Sequence, residues 1–122
     1  KVVDVLDYGD RLTKTGLSLL NGPGNDIVAV TNLMAAGVHM ILFTTGRGTP
    51  LGGAVPTVKI ASNDVIAGKK SHWIDFSAFG FDKDKKADDL TELIKQVADG
   101  KLTKNEILGN REIAIFKDGV TL

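Results

Sequence analysis

The sequence predicts an α/β fold: a three-layer, Rossmann-like, open and mostly parallel sheet with helices on both faces. Two observations lead to this prediction. Short apolar or β-branched runs alternate along the chain with segments whose apolar residues repeat at helical spacing. One run, residues 38–43, is almost uninterruptedly apolar, which is typical of a central parallel strand covered on both faces. The 122 residues fit a single domain.

The first third of the chain predicts a strand, a long connection and a helix. Residues 1–6 are apolar and β-branched, which favours a strand. The polar, glycine-rich stretch that follows contains, around residues 17–20, a predicted short turn of helix. Asn25 or Asp26 then caps a helix that ends at Gly37. With the strand at residues 38–43, these elements predict one βαβ unit.

The rest of the chain continues to alternate strands with helices. Local patterning predicts strands at residues 57–61, 72–76 and 112–116, and helices at residues 64–67 and 85–99, with a further short helix that starts at a Thr103 and Glu106 capping box and ends at Gly109.

Polar and glycine-rich segments follow the predicted strands at their carboxyl ends, where open parallel sheets bind ligands. The sharpest segment is a loop whose residues we take as candidate ligand contacts: Thr44, Thr45, Gly46, Arg47, Gly48 and Thr49. It offers flexible backbone, three hydroxyls and one arginine that can clamp a carboxylate through two hydrogen bonds, which would suit an anionic sugar acid. The alternative is a tight turn with a surface arginine.

The other candidates each have a simpler structural interpretation. Asn25 could present helix amides to an anion or only cap the helix. Asn63 follows a strand at the same edge, and Asp75 faces either the cleft or solvent. His39 and His72 favour packing roles, and two histidines without nearby carboxylates form no metal signature. Lys59 alternates with apolar neighbours on its strand, which predicts that its side chain lies at a solvated edge.

Composition excludes several classes of function. Fifteen basic and fifteen acidic residues cancel, so no overall field favours nucleic acid. The absence of cysteine excludes disulfides and thiolate chemistry. No apolar run approaches the roughly 20 residues of a membrane span, and Lys1 opens no signal peptide, so we expect no membrane partner and a cytoplasmic location.

Residues 41–50 (ILFTTGRGTP) and 55–63 (VPTVKIASN) resemble the C-terminal domain of the altronate and galactarate dehydratase family. Residues 21–26, 72–76 and 111–122 are most similar to its altronate branch. The resemblance implies a cytoplasmic hydro-lyase that dehydrates a C6 sugar acid, for altronate giving 2-dehydro-3-deoxy-gluconate, with a divalent metal, typically Fe²⁺. It also implies that residues 1–122 are one C-terminal domain, whose partners are the N-terminal and central domains of the same enzyme.

Elimination next to a carboxylate needs a base, stabilisation of the enediolate and an acid for the departing hydroxyl. The arginine loop suits the second task. We expect the base and the metal ligands mostly from the missing domains, with His39 and His72 as the candidates within this chain, and we expect the isolated chain to be inactive. Where the family continues the strand segment with Asn or Asp and then Ala-Gly, this chain has Ser77, Ala78 and Phe79, which puts a polar contact at position 77 in doubt.

Three alternatives stay open at this point. The chain could be a non-catalytic Rossmann-like binding or oligomerisation domain of the same enzyme, including a homo-oligomer. It could belong to a galactarate-type dehydratase. Dinucleotide binding is disfavoured because the glycine fingerprint before a helix is missing.

Overall fold

The computed structural model of the protein describes residues 1–115. The helices and strands in this part of the chain are, in order, β1 (Val2–Leu6), β2 (Leu17–Leu20), α1 (Asp26–Ala36), β3 (Ile41–Thr45), β4 (Thr57–Ala61), α2 (Asp64–Lys69), β5 (Phe76–Ser77), α3 (Lys83–Ala98) and α4 (Lys104–Ile107). The fold is α/β with parallel strands in open sheets, as the sequence predicts.

The larger sheet consists of β3, β4 and β5, all parallel and in sequential order. On one face, Ile41 of β3 packs with Val30 of α1. On the other face, Val58 and Ile60 of β4 pack with Val97 of α3. The sheet is therefore covered on both faces, and the three-layer arrangement is confirmed for these strands.

β1 and β2 form a separate two-stranded parallel sheet, in which Val5 lies opposite Leu19. Two predictions are therefore wrong: residues 17–20 form a strand and not a helical turn, and β1 and β3 do not share a sheet. Four residues are too few to show the apolar repeat that distinguishes a helix from a strand. The strand forms because the backbone N–H and C=O groups at the edge of β1 pair with those of this segment.

The helices follow their local signals closely. The Asn25 side chain accepts a hydrogen bond from the Val28 N–H, and Gly37, with φ of 102°, closes α1 in the left-handed conformation. The capping box of Thr103 and Glu106 begins α4. None of the helices in residues 1–115 has the length and apolar character that a bilayer crossing demands.

Three predicted strands differ from the structure. The strand at residues 38–43 is shifted to Ile41–Thr45, and the one at residues 72–76 shrinks to Phe76–Ser77. Residues 112–115 form no strand, and Phe116 lies outside the described residues. Glu112 and Gly52 instead exchange hydrogen bonds, from the Glu112 N–H to the Gly52 carbonyl at 2.8 Å and from the Gly52 N–H to Glu112 Oε2 at 2.9 Å. These bonds replace a strand ladder and hold the segment on the loop before β4.

Candidate functional site at the carboxyl ends of β3 and β4

The loop after β3 and the start of α2 meet at one edge of the larger sheet. The Ser62 N–H donates to the Thr45 carbonyl at 3.0 Å, and Asn63 Nδ2 donates to the Gly46 carbonyl at 3.2 Å. Asn63 also caps α2, because its Oδ1 accepts from the Ile66 N–H at 2.9 Å. The predicted placement of this loop beside Asn63 is confirmed.

The loop backbone, which we call the arginine loop (residues 44–49), is fixed from two sides. Gly48, with φ of 73°, donates its N–H to Thr45 Oγ1 at 2.8 Å. Lys70 Nζ donates to the carbonyls of Arg47 and Gly48 at 2.7 and 2.8 Å. The Arg47 side chain is exposed and has no hydrogen bond or ion pair with residues 1–115. The fold thus holds the main chain of Arg47 and leaves its guanidinium available.

Asn25 lies at the N-terminus of α1, on the face of the sheet that carries Lys59. The carboxylate of the neighbouring Asp26 acts electrostatically on the Lys59 amine and favours its charged form. No hydrogen bond joins Asn25 to the arginine loop within residues 1–115; its side chain is engaged in capping α1.

Asp75 is engaged with the main chain through both carboxylate oxygens. Its Oδ2 accepts from the Lys59 N–H and its Oδ1 from the Lys104 N–H, both at 2.8 Å. The Asp75 N–H in turn donates to the Lys59 carbonyl at 3.0 Å. The carboxylate therefore ties β4 to the start of α4.

His39 and His72 both lie just before strands of the larger sheet. Both side chains are exposed; His39 lies two residues before β3, at its amino end, and His72 lies in the turn between α2 and β5. His72 packs its ring edge-on against Trp73, with the ring centroids 4.1 Å apart. The Trp73 ring in turn lies 5.5 Å from Lys70 Nζ, the group that binds the carbonyls of Arg47 and Gly48, so His72 is connected to the arginine loop through Trp73 and Lys70.

Lys59 lies in the middle of β4 with 0% of its surface exposed, so the prediction of a solvated edge is wrong. Its Nζ has no hydrogen-bond partner within residues 1–115 and lies 3.6 Å from the centroid of the Phe43 ring. Burial lowers the pKa of the amine from 10.5 to about 8, although the Asp26, Glu112 and Asp75 carboxylates act in the opposite direction. The signal for this position was present in the sequence, since a strand covered on both faces buries its alternate residues too.

A resident metal ion would need a cluster of donor side chains. Within residues 1–115, no three His, Cys, Asp or Glu residues converge on a point that could hold one. These residues by themselves do not fit the divalent metal that the family resemblance implies.

Apolar surface is concentrated on the smaller sheet. Val5, Leu17 and Leu19 leave 72%, 60% and 53% of their surface exposed on the outer face of β1 and β2. Between β2 and the end of α1 there is an apolar cavity of about 240 Å³, which residues including Leu12 and Leu33 line. Parallel sheets are normally covered on both faces, so this outer face is unusual.

Residues 1–121 match the family model for the C-terminal domain of D-galactarate and altronate dehydratases. The chain is 55% identical to altronate dehydratase of Escherichia coli K12 over 125 aligned positions, covering 99% of the chain and 25% of that protein. It is 49% identical to altronate dehydratase of Bacillus subtilis 168, with the same two coverages of 99% and 25%. It is 41% identical to galactarate dehydratase (L-threo-forming) of Escherichia coli K12, covering 63% of the chain and 15% of that protein. The chain thus spans about a quarter of the length of the altronate dehydratases that it matches.

Proposed function

Since the chain belongs to the D-galactarate/altronate dehydratase family as its C-terminal domain, we propose that it works as part of a hydro-lyase that removes water from altronate, giving 2-dehydro-3-deoxy-gluconate. The structural observation that carries this proposal is the arginine loop, whose main chain is fixed by Lys70 while its guanidinium has no partner in residues 1–115. An anionic sugar acid provides the carboxylate that such a guanidinium binds.

The chemistry that this edge supplies is carboxylate recognition and charge stabilisation. Arg47 would bind the substrate carboxylate through two parallel hydrogen bonds, which strengthen as negative charge develops on the enediolate. Thr44 and Thr49 would offer hydroxyls to the sugar, and Asn63 would hold the loop in place. Asn25 and Asp75, whose side chains cap α1 and tie β4 to α4, stay predicted substrate contacts.

The proposal also includes a cytoplasmic location and a divalent metal ion, Fe²⁺ in particular, which both rest on the family resemblance. Because residues 1–115 do not assemble a donor cluster, we propose that the metal ligands come from the rest of the enzyme.

Turnover by the complete dehydratase that contains this chain tests the proposal. We expect water loss from altronate to exceed that from galactarate, and to require added divalent metal after chelation. Preference for galactarate would favour the galactarate-type alternative. Loss of water from neither acid would refute the dehydratase function.

A second role is favoured by the apolar outer face of β1 and β2. We propose that this face packs against the remaining part of the dehydratase, which accounts for about three quarters of the length of the altronate dehydratases that the chain matches. A Val5→Asp, Leu19→Asp double variant should lower the yield of assembled full-length enzyme, whereas Val65→Asp on α2, where 55% of the valine is exposed, should not. An unchanged yield with a lower native mass would point to a homo-oligomer contact instead.

A further inference from the structure

The buried Lys59 side chain lowers the stability of the folded protein. A fully buried ammonium without a hydrogen-bond partner destabilises a protein, and an apolar side chain of similar size would pack there without that penalty. The Phe43 ring and the surrounding carboxylates offset only part of this penalty, because burial still lowers the pKa of the amine. Residues that break the rules of stable packing are expected at functional sites. We therefore looked to the chemistry of the site for a role of Lys59.

The residue is close to the proposed substrate edge. Lys59 pairs with Phe43 in the β3–β4 register, and Thr45, the last residue of β3, pairs with Ala61. Two residues of strand correspond to roughly 6 to 7 Å, a distance that the flexible four-carbon stem of a lysine can span. A swing of the side chain away from the Phe43 ring would bring the amine to the base of the arginine loop.

The surrounding charges distinguish two roles for this amine. Carboxylates act on it from three elements: Asp26 from the start of α1, Glu112 from the segment on the loop before β4, and Asp75 from just before β5. These carboxylates would oppose the approach of another carboxylate, so they disfavour Lys59 as an anion receptor. Proton exchange with the substrate is different, because Arg47 already neutralises the charge of the substrate carboxylate when the adjacent carbon approaches the amine.

We propose that Lys59 is the group that moves the proton during the elimination, an inference that rests on the proposed dehydratase function. The neutral amine takes the proton from the carbon next to the carboxylate. The C–H electron pair first passes into the enediolate of the carboxylate that Arg47 holds. Its return forms the carbon–carbon double bond as the C–O bond to the neighbouring hydroxyl breaks, and the resulting enol becomes the keto acid by tautomerisation. The proton now on Lys59 passes to the departing hydroxide, which leaves as water, and the amine returns to its neutral form.

The acid–base state of the amine agrees with this role. With a pKa of about 8, on the order of a tenth of the lysine is neutral at pH 7, far more than for an ordinary lysine with a pKa of 10.5. Phe43 provides a resting position for the charged form through its ring face.

The test compares Lys59→Met and Lys59→Arg in the complete dehydratase, with Lys95→Met on the exposed side of α3 as the control. We expect both Lys59 variants to lose about 10²- to 10⁴-fold in turnover, because neither an apolar side chain nor a permanently protonated guanidinium accepts a proton. We expect both to keep substrate affinity in calorimetry within about threefold. In D₂O, altronate recovered before full conversion by the wild-type enzyme should carry deuterium on the carbon next to the carboxylate, and altronate recovered from both variants should not.

Different outcomes contradict the two proposals. If the wild-type enzyme dehydrates neither altronate nor galactarate, the proposed function fails before any variant is made. If the wild type is active and Lys59→Arg keeps its turnover within tenfold, Lys59 acts as a charge and not as a base. Loss of affinity in parallel with turnover, or a lower melting temperature in both variants, would make Lys59 a structural residue.

Discussion

Asn63 Nδ2 lies 3.2 Å from the Gly46 carbonyl oxygen, while Oδ1 of the same side chain caps α2 at the Ile66 N–H. One amide thus serves both the helix that follows β4 and the loop that follows β3. Because different atoms of Asn63 make the two bonds, substitutions can remove the loop contact and the helix cap separately.

Asn63→Ala removes both bonds, and we expect it to lower the free energy of unfolding by about 1 to 2 kcal/mol through loss of the cap. Asn63→Asp keeps an oxygen for the cap and loses only the donor to Gly46. Chemical denaturation should therefore show near wild-type stability for the aspartate variant, whereas both variants should lower kcat/KM in the complete enzyme. Equal stability loss in both would show that the Gly46 bond, and not the cap, holds this corner.

Arg47→Lys keeps the positive charge but loses the planar fork that binds a carboxylate through two hydrogen bonds. We expect a large fall in kcat/KM for the complete enzyme. A substrate carboxylate left fully unpaired would lose about 2 to 5 kcal/mol of transition-state stabilisation. Folding should be unchanged because the side chain is exposed. Arg11→Lys, at another exposed arginine, is the matched control; near wild-type kcat/KM for Arg47→Lys would make Arg47 a surface residue.

Lys59 predicts an unusual dependence of stability on pH. Its pKa is about 8 in the folded chain and 10.5 when unfolded, so the unfolded state binds more protons between these values. Stability should rise as the pH increases from about 8 to 10.5, by up to about 3 kcal/mol. Lys59→Met should abolish this rise and be more stable than wild type at pH 7, as denaturant titrations at several pH values would show. The Lys95→Met control should retain the wild-type profile; a flat wild-type profile would contradict the lowered pKa.

The isolated 122-residue chain should fold cooperatively without dehydratase activity. Its larger sheet has helices on both faces and two apolar clusters, but residues 1–115 contain no donor cluster for a metal ion. Thermal unfolding followed by circular dichroism, together with an altronate turnover assay, checks both statements. Sustained metal-dependent turnover by this chain alone would contradict the prediction.

Elements with local signals were predictable from the sequence. The Asn25 cap, the Gly37 stop and the Thr103–Glu106 box each depend on residues within a few positions, and the structure contains all three. The conformation of residues 17–20 depends instead on pairing with β1, which no local pattern encodes. Residues 112–115 alternate like a strand, yet their partners are a glycine and a threonine in other elements.

The candidate site was predictable where it depends on strand ends. Residues after β3 and β4 meet because parallel strands end at one edge, so Gly46 and Asn63 are in contact. The buried position of Lys59 does not follow from alternation under the assumption that one face of an alternating strand is exposed to solvent. That assumption holds for many antiparallel sheets and fails for a parallel strand between two helical layers.

The reciprocal bonds between Gly52 and Glu112 also bear on the order of folding. They join positions 60 residues apart, so their formation closes one of the longest loops in the chain. A nascent chain that emerges from the ribosome must wait until residue 112 is synthesised before the Gly52 N–H finds its acceptor. The segment before β4 should therefore be among the last parts to gain protection from hydrogen exchange, well after α1 has formed from its own local contacts.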